Sequence, residues 1–287
     1  MDKKYRKQES VFSEMKILIT GANGMLGQDL CPILEDEEFD VIETGHDVLD
    51  ITDTENIEEV FENYKPDFVI NCAAYTNVDK AEDEEELAFK INAQGSENLA
   101  KICNELDIPI LYISTDYVFD GTKKGKYLPD DKTNPINVYG KSKLAGEEAI
   151  RKNEKHYIVR TSWLYGHHGK NFVETMIGLK DREELKVVDD QIGCPTWTVE
   201  LSNGIVKIIK EKMPYGTYHV CGSGHTSWYG FAKKIFELYG ANVNLQPCTT
   251  DEFPRKAKRP KNSIMENNGI CRKWETALKE YLELRCE

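Results

Sequence analysis

The sequence predicts an α/β fold with a doubly wound parallel sheet of the Rossmann type, followed by a smaller C-terminal substrate-binding lobe. Short apolar runs rich in β-branched residues alternate with amphipathic helical segments through the first half of the chain. A glycine-rich turn directly follows the first of these runs and opens a helix. Beyond Asn171 the elements become shorter and less regular, which is typical of a smaller lobe laid over such a sheet.

The composition is that of a globular protein without a membrane span. Of the 287 residues, 40% are hydrophobic and 30% are charged, and no apolar run approaches the roughly 20 residues of a spanning helix. The net charge of −13 argues against general nucleic-acid binding. The eight cysteines are dispersed without a C-x-x-C pair. We therefore expect reduced thiols in a cytoplasmic protein, and neither a disulfide framework nor a zinc site.

The first strand, turn and helix form a phosphate-binding pattern. Lys16–Thr20 is the strand, Gly21–Gly27 has the spacing G-x-x-G-x-x-G, and Met25–Leu34 is an amphipathic helix. In order, the three glycines permit a tight turn, close approach of backbone to a pyrophosphate, and packing of the helix on the strand. Backbone N–H groups at the helix N-terminus can then hold phosphates. The pattern predicts a dinucleotide site.

The residues after the second strand leave the choice between NADH and NADPH open. Phe39–Glu43 is predicted to be that strand, and Thr44–His46 follows where a ribose-binding acid usually stands. No arginine that could bind a 2′-phosphate is present there either. Asp50–Asp53 then begins a helix, with Thr52 or Asp53 as its N-cap.

Two further strands bring small and hydroxyl-bearing residues to the same edge of the sheet. Pro66–Tyr75 is a predicted buried strand that ends near two alanines, which leave room for a cofactor. A long amphipathic helix is predicted over Leu87–Leu106. The next strand, Ile108–Ile113, is followed directly by Ser114–Tyr117. Open α/β sheets bind ligands at the carboxyl ends of their strands, so these residues are candidates for a site.

A tyrosine and a lysine on one helix face are the strongest candidates for chemistry. Tyr139 and Lys143 lie four residues apart in a segment predicted to be helical as far as Ile150, so they lie one turn apart. A nearby ammonium favours the phenolate and lowers the tyrosine pKa from about 10. Tyr139 is therefore predicted to donate a proton near neutral pH, with Lys143 as its electrostatic partner.

Two clusters in the second half of the chain have more than one interpretation. The basic loop Arg255–Lys261 is either a solvated loop or a binding site for an anionic group such as a diphosphate. The adjacent His167 and His168 lack the carboxylate or cysteine partners of a metal site and are predicted to be polar loop residues.

These patterns divide the chain into three parts. Residues 1–14 are polar and charged without an apolar stretch, and we expect a disordered N-terminal extension. Residues 15–165 are predicted to form an NAD(P)-binding Rossmann domain. Residues 166–287 are predicted to form the substrate-binding lobe, partly interleaved with that domain.

Taken together, these motifs resemble the extended branch of the short-chain dehydrogenase/reductase superfamily, and within it the dTDP-4-dehydrorhamnose reductase family. The resemblance covers the chain from Met15 to the C-terminal helix and rests on long strings. These strings begin at Lys16 (KILITGANGMLGQDL), Asn77 (NVDKAE), Ser114 (STDYVFDG), Asn137 (NVYGKSKLAGE), Arg160 (RTSWLYG), Val187 (VVDDQIGCPT) and Arg259 (RPKNS).

The resemblance implies a role for each matching residue. It makes Thr115, Tyr139 and Lys143 the catalytic residues. It places Asp116 and Trp163 near the sugar nucleotide, together with Thr115. The matching cofactor-side positions are Gly21, Asn23, Gly24, Met25, Leu26, Gly27, Asp50, Ile51, Ala73, Ala74, Tyr75, Asn92, Tyr139 and Lys143.

Some relatives are associated with a homodimer bridged by Mg²⁺. The acids at the matching positions here are Asp29 and Glu200. Asp29 departs from the family pattern, which often has glutamate there, so the sequence leaves both the metal and the homodimer open and assigns no metal ligand.

The activity implied by the resemblance is NADH- or NADPH-dependent reduction of the C4 keto group of dTDP-4-dehydro-L-rhamnose, the last step of dTDP-rhamnose synthesis. In related dehydratases a glutamate follows the Thr-Asp pair and supplies the second group for water elimination. Tyr117 stands in that place here, so Asp116 lacks an acidic neighbour. This difference favours carbonyl reduction over dehydration.

Two alternatives remain open from the sequence. One is a reductase or epimerase that acts on another nucleotide sugar. The other is a non-catalytic regulatory subunit that resembles this family and binds methionine adenosyltransferase. The presence of Thr115, Tyr139 and Lys143 together favours an enzyme.

Overall fold

The computed structural model describes residues 15–285. The predicted N-terminal extension, residues 1–14, lies outside the described residues. In chain order, the strands are β1 (Lys16–Thr20), β2 (Asp40–Thr44), β3 (Phe68–Asn71), β4 (Ile110–Thr115), β5 (His156–Thr161), β6 (Leu164–Tyr165), β7 (Glu184–Val188), β8 (Ile192–Gly193), β9 (Thr196–Trp197), β10 (Gly216–His219), β11 (Thr226–Ser227) and β12 (Asn244–Cys248).

The α-helices are α1 (Met25–Asp36), α2 (Thr54–Tyr64), α3 (Val78–Ala81), α4 (Glu85–Phe89), α5 (Ser96–Glu105), α6 (Val138–Ile150), α7 (Phe172–Gly178), α8 (Thr198–Lys210), α9 (Trp228–Tyr239) and α10 (Trp274–Leu284). A π-helical segment spans Lys90–Gly95, and 3₁₀ turns span Asp116–Val118 and Thr250–Glu252. None of the helices within 15–285 is both long enough and apolar enough to cross a membrane.

The central sheet is parallel throughout, with the strand order β10-β5-β4-β3-β1-β2. From β1 the chain runs outward to β2 and then crosses back to β3, on the other side of β1. The connections on the two sides of β1 therefore diverge at the carboxyl ends of β1 and β3, which is the point where such sheets bind ligands. The prediction of a Rossmann-type doubly wound α/β fold is confirmed.

Alternation along the strands explains why helices cover both faces of this sheet. Ile17 and Ile19 of β1 pack with residues of α1 and α8, whereas Leu18 between them packs with residues of α2 and α5. Successive side chains of a strand point to opposite faces, so a strand that is buried on both faces is apolar at every position. The middle of β1, Ile17–Ile19, has this character.

The helix predicted over residues 87–106 is interrupted. Helix α4 ends at Phe89, the π-helical segment follows, and α5 begins at Ser96. Within the interruption, Asn92 has a fully buried side chain whose amide bonds the main chain of Tyr75. Single π-helical turns often occur where one side chain must be brought into a particular contact. The hydrophobic period of the sequence does not reveal this local change.

The smaller lobe contains α7, α9 and α10 together with the paired strands β7 and β12. Its core includes the buried side chains of Phe231, Trp274 and Tyr281. Strand β10 and helix α8 also come from residues 166–287, but they complete the central sheet and one of its helical layers. Segments from both sides of residue 165 therefore build the central sheet.

Candidate active site

A cavity of about 840 Å³ opens at the carboxyl edge of the central sheet. Its wall is formed by the turn after β1, the ends of β3, β4 and β5, the start of α6, and residues of the smaller lobe. Of the residues predicted to form the site, the wall contains Gly21, Asn23, Gly24, Met25, Leu26, Gly27, Asp50, Ile51, Ala73, Ala74, Thr115, Asp116, Tyr139, Lys143 and Trp163.

The glycine turn leaves no space for side chains at two of its glycines. Gly21 has φ +66°, and a Cβ there would lie 2.8 Å from the backbone nitrogen of Ala73. A Cβ at Gly27 would lie 2.4 Å from the carbonyl oxygen of Ala22. Only glycine therefore lets β1, β3 and α1 approach this closely.

Gly24 is the N-cap of α1, and no side chain caps this helix end. The first N–H groups of a helix have no intrahelical acceptor, and the helix dipole favours an anion beside them. Because this uncapped end faces the cavity through Gly24 and Met25, the residues present fit the diphosphate of a dinucleotide.

The strand end that forms the opposite wall is held by Asn92. Its amide oxygen accepts the N–H of Tyr75 at 2.8 Å, and its amide nitrogen donates to the carbonyl oxygen of Tyr75 at 3.0 Å and to Ser142 at 2.9 Å. The Tyr75 hydroxyl donates to Glu84 at 2.7 Å. Asn92 and Tyr75 thus lie behind the cavity wall, where they position Ala73 and Ala74.

Asp50 lies in the cavity wall, and its carboxylate is already hydrogen-bonded within the chain. It accepts hydrogen bonds from the N–H and the hydroxyl of Thr52, at 2.9 and 2.8 Å. Burial tends to raise the pKa of Asp50, but these two hydrogen bonds outweigh it and lower the pKa. The N-cap of α2 is Asp53, the second of the two predicted candidates.

Thr115, Asp116 and Tyr139 come together where β4 ends and α6 begins. The Thr115 hydroxyl donates to Asp116 at 3.0 Å and accepts the N–H of Tyr117 at 3.2 Å. Tyr139 packs edge-on against Tyr117, with ring centroids 5.9 Å apart. Asn137 caps α6 by accepting the N–H of Gly140 at 2.7 Å, so the start of this helix is well defined.

The pKa of Tyr139 differs from the prediction. Burial raises it to about 12, the hydrogen bond with Thr115 opposes this rise, and the nearby charge of Asp116 adds to it. The predicted lowering of this pKa by Lys143 is therefore wrong, because burial dominates. Tyr139 remains a neutral phenol at neutral pH, which is the protonation state that a proton donor requires.

Lys143 is 2% exposed, and its ammonium lies 4.0 Å from the centre of the Tyr112 ring. Burial lowers the pKa of Lys143 to about 7, while the negative charge of Glu147 opposes this change. Glu147 is itself fully buried and accepts hydrogen bonds from Arg160 at 2.8 and 2.7 Å and from Ser114 at 2.6 Å. The face of α6 that carries Tyr139 and Lys143 is thus anchored by a buried ion pair one turn further along.

Asp116 is 2% exposed, and its Oδ2 atom has no hydrogen-bond partner within the described chain. Burial raises the pKa of Asp116 to about 7, although hydrogen bonds from Ser263 and Thr115 oppose the rise. A buried carboxyl group that is only partly satisfied destabilises the folded state. Such groups are concentrated at functional sites.

Trp163 and Trp228 stack in the cavity wall, with ring centroids 3.5 Å apart and planes 5° apart. Trp163 has φ +47°, an uncommon backbone conformation for a bulky residue. A Cβ at Gly193 would lie 2.5 Å from the Trp163 indole. The indole is therefore enclosed between the backbone of Gly193 and the ring of Trp228.

The basic loop Arg255–Lys261 is paired with acids of the first domain. Arg259 donates to both carboxylate oxygens of Asp79, at 2.7 and 2.8 Å, and these hydrogen bonds lower the pKa of Asp79. Lys256 forms an ion pair with Asp83. At these two positions the loop is neither a freely solvated loop nor an unoccupied anion site, because protein carboxylates already bind the cations.

Asp29 and Glu200 do not fit a shared Mg²⁺ site. Glu200 accepts three hydrogen bonds from Arg272, at 2.8, 2.5 and 3.1 Å. Asp29 accepts a hydrogen bond from Thr198 and lies 3.4 Å from His168. Between residues 15 and 285, no group of three or more metal-ligating side chains is assembled.

Several cavity residues were not singled out from the sequence. They include His46, Lys170 and Trp228. Trp228 begins α9, far along the chain from every recognised motif, and no local pattern distinguishes it. Lys170 lies between a glycine and the N-cap of α7. Its place in a loop after a strand end is the one local signal for a role at the site.

Comparison with known proteins agrees with this geometry. The model of the family described as RmlD substrate binding domain matches residues 15–285. The spore coat polysaccharide biosynthesis protein SpsK of Bacillus subtilis is 42% identical over 278 residues, which cover 94% of this chain and 98% of that protein.

Two crystal structures of dTDP-4-dehydrorhamnose reductases are also similar. The Clostridium acetobutylicum protein is 49% identical, with a TM-score of 0.92 over 95% of this chain and 100% of that chain. The Bacillus anthracis protein, in complex with NADP, is 44% identical, with a TM-score of 0.91 over 94% of this chain and 99% of that chain. The chain belongs to the RmlD substrate binding domain family, that of the dTDP-4-dehydrorhamnose reductases.

Proposed function

We propose that this protein reduces the C4 keto group of dTDP-4-dehydro-L-rhamnose to give dTDP-L-rhamnose, with NADPH or NADH as reductant. The observation that carries the proposal is a neutral phenol, Tyr139, beside the Thr115 hydroxyl in a cavity that continues to an uncapped, glycine-lined helix N-terminus. The names of the two similar reductases support the choice of substrate.

Each proposed residue has a distinct task. Tyr139 donates its proton to the oxygen at C4 as negative charge develops there. The Thr115 hydroxyl lies within the same wall and hydrogen-bonds that oxygen. Lys143 supplies positive charge behind the phenol, which stabilises the phenolate that Tyr139 becomes. When bound, the reduced nicotinamide supplies the hydride.

The same wall favours reduction over water elimination. Asp116 has a buried carboxyl group, and the next residue is Tyr117, whose ring packs on Tyr139. Tyr117 therefore stands where a dehydratase has the second carboxyl group of its acid–base pair. Asp116 and Trp163 are proposed to position the sugar nucleotide, and Asp116 also orients Thr115 through their 3.0 Å hydrogen bond.

The cofactor proposal rests on the glycine turn and the alanines opposite it. Gly21, Gly24 and Gly27 let backbone approach a diphosphate, while Ala73 and Ala74 leave space beside it. The similar reductase from Bacillus anthracis was solved with NADP. Strand β2 ends at Thr44 rather than at an acid, while the Asp47 carboxylate lies beside Gly45 just after it. Both cofactors are therefore included in the proposal.

A cytoplasmic location and a homodimer are the finer parts of the proposal. The seven cysteines in the described part of the chain are all free thiols, which suits a reducing compartment. Size-exclusion chromatography with light scattering tests whether the protein is a dimer. The measurement is made with and without Mg²⁺, because the pairing of Glu200 with Arg272 argues against a dimer bridged by this metal.

The direct test offers dTDP-4-dehydro-L-rhamnose with NADPH or NADH and follows nicotinamide absorbance and product mass. We expect a product with two more hydrogens, formed in step with nicotinamide oxidation. Tyr139→Phe should lower kcat by about 10²–10⁴-fold, as for loss of a general acid. Tyr64→Phe, at an exposed tyrosine of α2, is the matched control and should leave kcat unchanged.

A second incubation, with dTDP-glucose and oxidised cofactor, tests the choice of reaction. A dehydratase would release water and form the 4-keto-6-deoxy sugar, whereas we expect no loss of water. A panel of other keto-sugar nucleotides separates this reductase from relatives with other substrates. Wild-type protein that oxidised no cofactor with any of them would refute the proposal.

A further inference from the structure

The side chain of Lys170, in the loop Gly166–Asn171, has no hydrogen-bond or ion-pair partner within the described chain. This loop joins β6 to α7. The Asn171 amide donates to the carbonyl oxygen of Gly166 at 2.7 Å and so ties the ends of the loop together. Asn171 also accepts the N–H of Glu174 at 3.0 Å, which makes it the N-cap of α7.

The residues before Lys170 are held on two sides. His167 stacks on Tyr281, with centroids 4.2 Å apart, and its ring nitrogen lies 3.1 Å from the Tyr281 carbonyl oxygen. His168 lies 3.4 Å from Asp29 of α1. The loop is therefore fixed against α1 on one side and α10 on the other, although Lys170 itself makes no hydrogen bond or ion pair.

Gly169, the residue before Lys170, lies close to the start of α1. Its φ of +94° lies in the region that favours glycine. A Cβ at Gly169 would lie 4.0 Å from the methyl group of Met25, the first residue of α1. Met25 and Lys170 both belong to the wall of the main cavity. The loop thus brings a lysine to the end of the cavity where the N-terminus of α1 is uncapped.

The other basic groups of the cavity wall, Lys143 and His46, already have contacts within the chain. Lys143 is buried against the Tyr112 ring, and His46 lies 4.0 Å from Asp50. Lys170 is exposed and, within residues 15–285, has no carboxylate within ion-pair distance. An unpaired lysine in the same cavity wall as the N–H groups of a helix end adds a second kind of phosphate donor, which suits a ligand that carries two adjacent phosphates.

We infer that Lys170 binds a diphosphate group in the main cavity, and that its place beside α1 assigns it to the diphosphate of the dinucleotide. The inference rests on the proposed function for the presence of a dinucleotide. The nucleotide sugar also carries a diphosphate, so the experiment has one arm for each source.

The experiment measures dissociation constants of NADPH and NADH by fluorescence, and of dTDP on the NADPH-saturated protein by calorimetry. The variants are Lys170→Gln, Lys170→Arg and, as a matched control, Lys233→Gln at an exposed lysine of α9. Loss of one charge-assisted contact should weaken NADPH and NADH equally, by about five- to tenfold. Lys170→Arg should restore most of the affinity, and Lys233→Gln should change nothing.

Two further readouts separate binding from an indirect structural effect. In Lys170→Gln the KM for the cofactor should rise by a larger factor than the one by which kcat falls, because the lost contact is to bound cofactor. Added salt should weaken NADPH binding less in Lys170→Gln than in the wild type, because one screened charge pair is missing. A loss of dTDP affinity with unchanged cofactor affinity would keep Lys170 as a diphosphate ligand but assign it to the nucleotide sugar.

Other results would overturn the inference. A loss confined to NADPH would point to the 2′-phosphate, and unchanged affinities for NADPH, NADH and dTDP would remove Lys170 from the site. Wild-type titrations keep these outcomes distinct from failure of the proposed function. If the wild type bound no dinucleotide, the proposed function itself would fail. If the wild type and Lys170→Gln bound the dinucleotide equally well, only the role of Lys170 would be refuted.

Discussion

The ammonium of Lys143 lies 4.0 Å from the centre of the Tyr112 ring, inside the sheet-facing side of α6. The face of an aromatic ring attracts a cation, and the attraction increases where water is excluded. Tyr112 is itself held by a 3.1 Å hydrogen bond from its hydroxyl to the carbonyl oxygen of Asn92. Lys143, the electrostatic partner of the proposed proton donor Tyr139, is thus itself held in place by Tyr112 of β4.

The contact between Lys143 and Tyr112 predicts that substitution of Tyr112 changes the pH dependence of kcat/KM. The pKa of Lys143 is lowered to about 7, so the ammonium is present below that pH and is lost above it. The kcat/KM for the cofactor, which reports the free enzyme, should therefore fall as the pH rises through about 7. Tyr112→Leu removes the ring, lowers the pKa of Lys143 further and should move this fall to lower pH. Tyr112→Phe keeps the ring, and a shift of equal size in that variant would contradict the assignment.

The buried Glu147–Arg160 pair predicts a large stability effect. Glu147→Gln leaves the Arg160 guanidinium buried without its counter-charge, which typically costs about 3–5 kcal/mol. Urea denaturation should detect this loss, whereas Glu148→Gln, at the exposed neighbouring residue, should change the free energy of unfolding little. Adding Arg160→Met to Glu147→Gln should recover part of the loss. If Glu147→Gln and Glu148→Gln had the same free energy of unfolding, the Glu147–Arg160 ion pair would not anchor α6.

Asp116→Asn should stabilise the fold while impairing turnover. The pKa of Asp116 is raised from its ordinary 3.8 to about 7. Near pH 4 and below, both the folded and the unfolded chain carry the proton, and the group has no effect. As the pH rises from about 4 to 7, Asp116 ionises freely only in the unfolded state. The free energy of unfolding of the wild type therefore falls, by about 4 kcal/mol at most. The increase in the free energy of unfolding caused by Asp116→Asn should therefore reach its maximum above pH 7.

Thermal and urea unfolding of Asp116→Asn between pH 4 and 8 measure this gain. The matched control is Asp130→Asn, because Asp130 is exposed and should show no comparable pH-dependent difference. A gain that stayed constant across this pH range would mean that burial of the Asp116 charge is not its source.

Gly24 and Gly27 should respond differently to added side chains. A Cβ at Gly24 would meet only the Gly21 carbonyl oxygen, at 3.1 Å, whereas a Cβ at Gly27 would overlap the backbone of Ala22 at 2.4 Å. Gly24→Val should therefore abolish dinucleotide binding in a folded protein, and Gly27→Ala should lower the melting temperature. Fluorescence titration and circular dichroism separate the two effects. Normal NADPH affinity in folded Gly24→Val would place the diphosphate elsewhere.

The fold and the outline of the site could be predicted from local patterns. Strands β1 to β4 were predicted within about four residues of their observed bounds, because a strand buried on both faces is a continuous apolar run. The glycine turn, the end of β4 and the Tyr139–Lys143 spacing are also local. Since parallel strands end at one edge, these motifs were expected to meet, and they line one cavity.

What the sequence could not determine depends on contacts between residues that are distant along the chain. Asn92 was predicted at the cofactor but lies behind the wall, because its amide satisfies the main chain of Tyr75. The pKa of Tyr139 rises instead of falling, because burial depends on packing and not on the spacing to Lys143. Trp228 and Lys170 reach the cavity only because the smaller lobe folds over the sheet edge. Periodicity and turn chemistry act over a few residues, whereas burial, charge pairing and cavity shape arise only once the layers have packed together.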